Sequence, residues 1–188
     1  MARPRSEDRY NAILAAATEL IAAEGPGAAT AQIARRANIP HGSVFTYFPT
    51  KDALLNQLYI HLKTELTEAV LSEMPAGGDT RAQMHHLWTT WTGWGVANPA
   101  KRRVLAQLGV SDVVSAESRK TAYEVAAPTL DLVRRASAEG ALGQAPQEYA
   151  AALVEAAAST TMDFMIQEPA RADAICQAGF EALWRGLS

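Results

Sequence analysis

The stretch Thr30–Leu54, which reads TAQIARRANIPHGSVFTYFPTKDAL, decides how the N-terminal part of this chain folds. Apolar residues recur at helical spacing in both halves of it. This predicts one short helix over about 30–37 and a second over about 41–48. The segment Asn38-Ile39-Pro40 separates them as a tight turn. Two short helices joined by such a turn, after a longer supporting helix, form the skeleton of a helix-turn-helix motif.

The outward face of the second short helix is unusual for a surface that only meets water. It has no Lys, Glu or Gln to make it soluble, and Gly42 and Thr46 are poor helix formers. Small, hydroxyl-bearing and aromatic side chains suit close approach to a DNA groove, where they contact base edges, phosphates and thymine methyl groups. The alternative is a short helix packed against another protein. The outward set comprises Pro40, His41, Gly42, Ser43, Phe45, Thr46 and Tyr47.

Helical periodicity continues along the rest of the 188 residues. We therefore predict an all-α protein of about nine helices with no strand. Ser6 is expected to cap the first helix, and Gly25 followed by Pro26 to end it. Pro128 falls inside a helical pattern, where it is expected to kink or break the helix.

A long helix is predicted from Lys51 to about Glu73, with Thr50 as its cap. Its length suggests that it belongs to two parts of the molecule. We therefore expect a DNA-binding domain over 1–50 and a helical ligand-binding and dimerisation domain over 51–188, with the helix over 51–73 shared as a connector.

Charge and cysteine content narrow the class of protein. The formal charge is −3, but residues 1–51 hold six basic against four acidic residues, so the excess of acidic residues lies in 52–188. A mildly basic head on an acidic body suits DNA binding at one end. The single cysteine, Cys176, allows no intrachain disulfide, so a cytoplasmic location is the expectation. No apolar stretch is long enough to predict a membrane span.

The stretch Thr30–Leu54 resembles the signature of the tetracycline-repressor (TetR/AcrR) family. The shared pattern is a helix ending in "IA..A", a turn, "GS/T-aliphatic-aromatic", "Y/H-F" and "S/T-K-D/E-x-L", and the resemblance covers about residues 7–60. It implies a homodimer on double-stranded DNA with a palindromic operator. It also implies phosphate contacts from Thr30, Tyr47 and Lys51, and a place for Gln32 and His41–Phe45 at or near the major groove. At least one of Arg35 and Arg36 is expected to face phosphate or the field around it, and the alternative is that both lie on a solvated face.

Four positions depart from the family pattern. Pro40 replaces a serine that could bond phosphate, Phe45 replaces a tyrosine, and Tyr47 replaces a histidine. Ala29 replaces a threonine or serine, so capping there is expected to fall to Thr30 or Gln32. These departures leave the fold prediction unchanged and bear on the operator sequence.

Aromatic and sulfur-containing residues mark the C-terminal part as a candidate ligand site. Three tryptophans on one short helix exceed what simple packing demands, and each N–H needs a partner. The family resemblance implies a ligand pocket here, so we expect a small, largely apolar ligand. The alternative is that these residues are plain core. The candidate set is Trp88, Trp91, Trp94, Tyr123, Met162 and Phe164.

Small residues at helical spacing on the last two long helices permit close helix packing. In a family that dimerises through its last two helices, they resemble a four-helix interface between subunits. Close packing within one subunit is the alternative. The candidate interface comprises Ala152, Ala156, Thr160, Ile175, Gly179 and Ala182.

An enzyme or a helical adaptor that does not bind DNA is the competing class of function. The four histidines include only one close pair, His85 and His86, and neighbours on a helix diverge too far to chelate one metal well. No H-E-x-x-H, phosphate-binding glycine loop or C-x-x-C is present. We therefore predict no catalytic, cofactor or metal site.

Overall fold

The computed structural model describes residues 3–77 and 79–187, with the side chains of residues 3–5 excluded. Within these ranges the chain forms nine α-helices and one short 3₁₀ helix, and no strand. The prediction of an all-α fold is therefore confirmed. The helices are α1 (Arg3–Glu24), α2 (Thr30–Arg36), α3 (His41–Tyr47), α4 (Lys51–Leu71), α5 (Thr80–Ala97), α6 (Pro99–Gly109), α7 (Ala116–Ser137), α8 (Gln147–Gln167) and α9 (Ala172–Leu187), with the 3₁₀ helix Pro169–Arg171 between the last two.

Two helix ends lie where the turn chemistry predicts. Gly25 ends α1 with a φ of +82°, a left-handed conformation that glycine adopts without steric cost. Thr50 caps α4, because its hydroxyl oxygen accepts a hydrogen bond of 3.0 Å from the N–H of Ala53.

Two predictions about helix caps are wrong. Ser6 lies inside α1, which already begins at Arg3, and so does not cap it. The residue preceding α2 is Ala29, and no side chain caps that end, so neither Thr30 nor Gln32 serves as the cap. Helix α7 continues past Pro128 to Ser137, so it is not broken there, and a kink at Pro128 stays a prediction.

The chain divides into two compact units. The first comprises the residues up to Lys63 together with Pro99–Tyr123, and the second comprises Thr64–Asn98 together with the residues from Glu124 onward. Helices α4 and α7 contribute residues to both units. The division into a DNA-binding domain over 1–50 and a second domain over 51–188 stays a prediction.

The core of the first unit joins residues of six helices, α1–α4, α6 and the first part of α7, with Val114 of the α6–α7 loop. Helix α1 packs on α2 and on α6, and α2 packs on α3. Burying these aliphatic and aromatic side chains supplies the main favourable free energy of this unit. The largest buried side chains here are those of Ile13, Leu14, Ile21, Ile33, Phe48, Leu54, Leu58, Leu62 and Leu108.

The core of the second unit is built where α5, α8 and α9 pack on one another. Trp88 and Met84 of α5 are fully buried in it, as is Phe180 of α9. No helix in the described ranges combines the length and apolar character that crossing a membrane requires.

Candidate nucleic-acid interface

Helices α2 and α3 form the predicted helix-turn-helix through a small buried contact. Ile33 and Ala34 of α2 and Val44 of α3 are at most 1 % exposed. The turn between the helices contains Asn38 at a φ of +54°, a conformation that asparagine tolerates better than most residues. A hydrogen bond of 3.0 Å from the N–H of Ile39 to the carbonyl of Ala34 closes the turn. The small side chain of Ala34 therefore lies where the two helices meet.

The outward face of this motif carries the residues predicted to read DNA. Val44 and Phe48 are buried, while the exposed residues of α3 recur at spacings of one and four, which places them on a single face. Thr30, Ser43, Tyr47 and Lys51 are half-buried. The exposed members of the predicted set are Gln32, Arg35, Pro40, His41, Gly42, Phe45 and Thr46.

A contact between α2 and α3 joins two of these residues directly. The hydroxyl of Thr30 lies 3.1 Å from Nε2 of His41, within hydrogen-bond distance. The ring of Phe45 meets the His41 ring edge-on, with 5.3 Å between ring centres. No pattern in the sequence indicates this pairing, because eleven positions separate Thr30 from His41.

The two arginines of α2 differ in their surroundings. Arg36 forms an ion pair of 3.1 Å with Glu19 of α1, and both side chains are more than half exposed. A carboxylate beside a guanidinium reduces its attraction for phosphate. Arg35 is exposed on the same helix. Of the pair, Arg35 is therefore the better candidate for a DNA phosphate.

Aromatic residues attach α3 to α1. The ring of Tyr10 stacks on Phe48 at 5.1 Å between ring centres and approaches Tyr47 at 6.5 Å. Burial raises the pKa of the Tyr10 hydroxyl above its usual value. Beside these rings lies an open cleft lined by Ser6, Glu7, Tyr10 and Tyr47. Helix α3 is thus fixed by aromatic packing at its C-terminal end.

Asn56 of α4 forms hydrogen bonds with the α6–α7 loop in the first unit, and the sequence analysis did not predict them. Its Nδ2 donates to the carbonyl of Val113 at 2.9 Å, and its Oδ1 accepts from the N–H of Ser115 at 2.9 Å. Arg119 holds the same loop by donating to the carbonyls of Gly109 and Ser111. Asparagine is unfavourable inside a helix, so its position among the leucines of α4 could have indicated a structural role. Asn56 therefore fastens the α6–α7 loop to α4, whose first residue is Lys51.

The structure does not place all six predicted ligand-binding residues in one unit. Trp88 is fully buried, and its indole N–H donates to the carbonyl of Cys176 at 2.9 Å. Tyr123 belongs to the first unit, whereas the other five belong to the second. Phe164 is about half exposed on α8. A buried tryptophan with a satisfied N–H is what a core position predicts.

The remaining predicted ligand residues lie on α5 and α8. Met162 is buried, with its thioether against Gly95. Trp91 and Trp94 are half-buried on α5. The Nε1 of Trp94 donates to Oε1 of Glu65 at 3.3 Å. Trp91 and Trp94, together with Phe164, are therefore the members of the set in the second unit that keep some surface accessible.

The predicted dimer residues fall into two groups. Ala152, Ala156, Thr160 and Ala182 are exposed, and Ile175 is half-buried. Gly179 instead faces its own chain, because a Cβ built there would lie 2.7 Å from the Thr161 hydroxyl oxygen and 2.8 Å from the Trp88 ring. This contact corrects the assignment of Gly179 to a subunit interface. The absence of a side chain allows α9 to approach α5 and α8.

Metal-binding clusters are absent from the part of the chain that the structure describes. No group of three or more His, Cys, Asp or Glu there could hold a metal ion. His85 instead contacts Gln177, and His86 lies within 3.1 Å of the carbonyl oxygens of Val70 and Ser72 at the end of α4. These histidines have structural partners.

The arrangement of α2 and α3 is that of the helix-turn-helix proteins. Comparison with known proteins shows which helix-turn-helix proteins this chain is similar to. The family model described as "Bacterial regulatory proteins, tetR family" matches residues 13–58. An HTH-type transcriptional repressor of Mycobacterium tuberculosis is 46 % identical over 81 residues, which is 43 % of this chain and 43 % of the relative's own length. An HTH-type transcriptional regulator of Mycobacterium bovis matches to the same extent.

Solved structures share the fold over nearly the whole chain. A Shewanella sp. PV-4 protein assigned to the tetR family of transcription regulators superposes with a TM-score of 0.84 and 28 % identity, covering 94 % of this chain and 96 % of that one. The Bacillus subtilis transcriptional regulator FadR, solved in complex with stearoyl-CoA, gives a TM-score of 0.72 at 16 % identity, with coverages of 95 % and 100 %. Residues 13–58 therefore match the tetR family of bacterial regulatory proteins, and the fold of the chain is similar to that of the solved tetR-family structure from Shewanella.

Proposed function

We propose that this protein is a transcriptional repressor in the cytoplasm that binds a palindromic DNA operator as a homodimer and releases it when a small, largely apolar ligand binds. The observation that carries the proposal is the exposed surface of α2 and α3, where hydroxyl, imidazole, amide and aromatic side chains converge above a buried contact. Such side chains read base edges in the major groove.

Phosphate contacts surround this surface in the proposed complex. Lys51 lies at the first position of α4, where backbone N–H groups also favour an anion. Arg35 and the hydroxyls of Thr30 and Tyr47 complete the phosphate-binding set. These contacts fix the register of the protein, and the exposed face of α3 supplies the sequence discrimination.

Dimerisation is proposed through the outer faces of α8 and α9. Tyr149, Leu153 and Phe164 are large apolar residues of α8 that are 39–53 % exposed. Together with the small residues Ala152 and Ala156, they give α8 an apolar face outside the core, as expected of a buried interface in a dimer. A second recognition helix is also needed, because one short helix reads too few bases.

The ligand is proposed to bind in the second unit beside Trp91 and Trp94. Half-buried tryptophans offer large apolar surfaces to a greasy molecule. The FadR of Bacillus subtilis, which shares the fold, was solved with stearoyl-CoA, a molecule with a long aliphatic chain. A ligand releases DNA to the extent that it prefers the conformation that cannot bind DNA. Helix α4 contributes to both units and is the natural carrier of that change.

Selection of random DNA on the purified protein tests the function directly. We expect enrichment of a two-fold symmetric sequence whose half-sites are about one helical turn apart. Affinity for it should fall steeply as salt rises, because phosphate contacts release counterions. Selected DNA that shows no common sequence would contradict the proposal.

Tryptophan fluorescence tests the ligand. Long-chain acyl compounds should change the emission of the protein and lower its affinity for the selected DNA about 5- to 150-fold. Trp91→Ala should reduce this response and leave DNA binding without ligand unchanged. If a broad panel of apolar compounds alters neither fluorescence nor affinity, the ligand site beside Trp91 and Trp94 is wrong.

A further inference from the structure

We propose that Thr30 and His41 act as one unit in operator recognition, in which the Thr30 hydroxyl determines which His41 nitrogen reads the DNA base. The inference rests on the proposed DNA-binding function and deepens it. According to this inference, Thr30 and His41 together determine which DNA base is preferred at one operator position, and this preference depends on pH.

The geometry assigns different positions to the two ring nitrogens of His41. Nε2 lies 3.1 Å from the Thr30 hydroxyl oxygen, and Phe45 packs edge-on against the ring. The residue as a whole is exposed. Nδ1 has no hydrogen-bond partner in the described part of the protein, so it is the nitrogen available to a base edge.

The single proton of the Thr30 hydroxyl links phosphate contact to the state of His41. A DNA phosphate only accepts hydrogen bonds, so Thr30 must use that proton to bond it. The hydroxyl oxygen can then only accept from the imidazole, which requires the proton on Nε2. Neutral His41 thereby presents a lone pair at Nδ1. That lone pair accepts from the amino group of adenine or cytosine in the major groove.

Protonation of His41 changes this preference. The imidazolium keeps Nε2–H on Thr30 and gains an N–H at Nδ1, which donates to O6 or N7 of guanine, to O4 of thymine or to N7 of adenine. Cytosine presents only an amino donor there, so it is the base that protonation disfavours. Histidine is the side chain that changes charge between about pH 5 and 8. Among the described residues, no hydrogen bond, ion pair or ring contact joins the His41 ring to a charged or titratable group of α1, α2 or α3. These groups are Glu7, Asp8, Arg9, Tyr10, Glu19 and Glu24 of α1, Arg35 and Arg36 of α2, and Tyr47 of α3.

The test is selection of random DNA at about pH 8 and at about pH 5.5 with the wild-type protein and matched variants. At one position of each half-site, we expect cytosine to lose about 2- to 10-fold relative to guanine and thymine between about pH 8 and about pH 5.5. His41→Asn should bind the same site without the pH-dependent change, because an amide does not titrate in this range.

Variants at Thr30 separate the pair from His41 acting by itself. Thr30→Ser should keep the pH-dependent change. Thr30→Val should weaken binding to all sequences and, at about pH 8, should lose the preference for an amino-bearing base, because Nδ1 is then free to carry the proton. Thr121→Val in α7 makes the same chemical change outside the proposed interface and should behave like the wild type.

Nitrogen NMR of the imidazole in the DNA complex observes the tautomer itself, and the proposal requires Nε2–H at about pH 8. A proton on Nδ1 there, or an unchanged base preference between the two pH values, would overturn the proposal while leaving DNA binding intact. Failure to select any DNA sequence at either pH would instead contradict the proposed function, and the pair with it.

Discussion

Helices α3 and α5 both have an unusual composition: α3 combines poor helix formers with aromatic residues, and α5 contains three tryptophans. These side chains are mostly exposed in α3, whereas the core buries Trp88 of α5. Helix α3 keeps Phe45, Thr46 and His41 exposed. Helix α5 buries Trp88 completely and pairs its indole N–H with the backbone of Cys176. In α3 the unusual side chains remain exposed, and His41 contacts Thr30 of α2 and Phe45 of α3. In α5 the buried tryptophan, Trp88, packs in the core.

The difference teaches when an unusual residue points to function. A large aromatic residue is explained by packing once it is buried and its polar atom has a partner. An exposed aromatic residue in a short helix of poor helix formers lacks that explanation. Exposure, and not residue type, therefore separates the DNA-binding candidates from the core.

The largest expected effect contrasts these two helices. Trp88→Ala should lower the free energy of unfolding by about 3–5 kcal/mol, because it leaves a cavity in the core. Phe45→Ala should change stability by less than about 0.5 kcal/mol and instead weaken DNA binding. Urea denaturation of both variants checks this. Equal destabilisation by both would remove the distinction between core and reading face.

The second prediction contrasts the two faces of α8. Ala156→Glu should leave the fold intact and cost the dimer about 3 kcal/mol or more, because symmetry places two unpaired charges in the proposed interface. Ala158 is fully buried, and Ala158→Glu should unfold the second unit. Sedimentation equilibrium and circular dichroism measure the two outcomes. A stable dimer of the Ala156→Glu variant would place the interface elsewhere.

The smallest effect concerns glycines. Gly179→Ala should destabilise the second unit by about 1–3 kcal/mol, because the new methyl group overlaps the Thr161 hydroxyl and the Trp88 ring. A Cβ added at Gly93 of α5 would meet no other atom within 4 Å. Gly93→Ala should therefore stabilise the protein by about 0.5–1 kcal/mol. Thermal unfolding compares the pair, and a neutral Gly179→Ala would restore an outward position for Gly179.

Local chemistry made the helix-turn-helix predictable. The two short helices are fixed by residues close in sequence, such as Ile33 and the turn at Asn38, and the start of α4 after them by the cap at Thr50. The turn and the cap follow from local rules, whereas the cap predicted for α2 does not form. The exposed face of α3 follows from the same periodicity, since the positions opposite Val44 and Phe48 must face away from the core.

Long-range contacts explain what could not be predicted. Periodicity shows that Gly179 and Trp88 occupy particular helix faces, but not which other helix covers those faces. The pairing of Thr30 with His41, and of Asn56 with Val113 and Ser115, depends on how helices meet in space. Such contacts form between segments that are distant in sequence, and a single sequence does not show which of these segments lie close together in space.

Reversal of the surface chemistry of α3 tests the central claim, that this exposed face binds DNA, most directly. Fluorescence anisotropy should show at least about 100-fold weaker binding of the selected operator by Thr46→Glu, because the carboxylate is brought against the negative charge of the DNA. Thr121→Glu adds the same charge in the same unit, on α7, and should bind within about 2-fold of the wild type. Wild-type affinity in the Thr46→Glu variant, or an equal loss in both variants, would contradict the account.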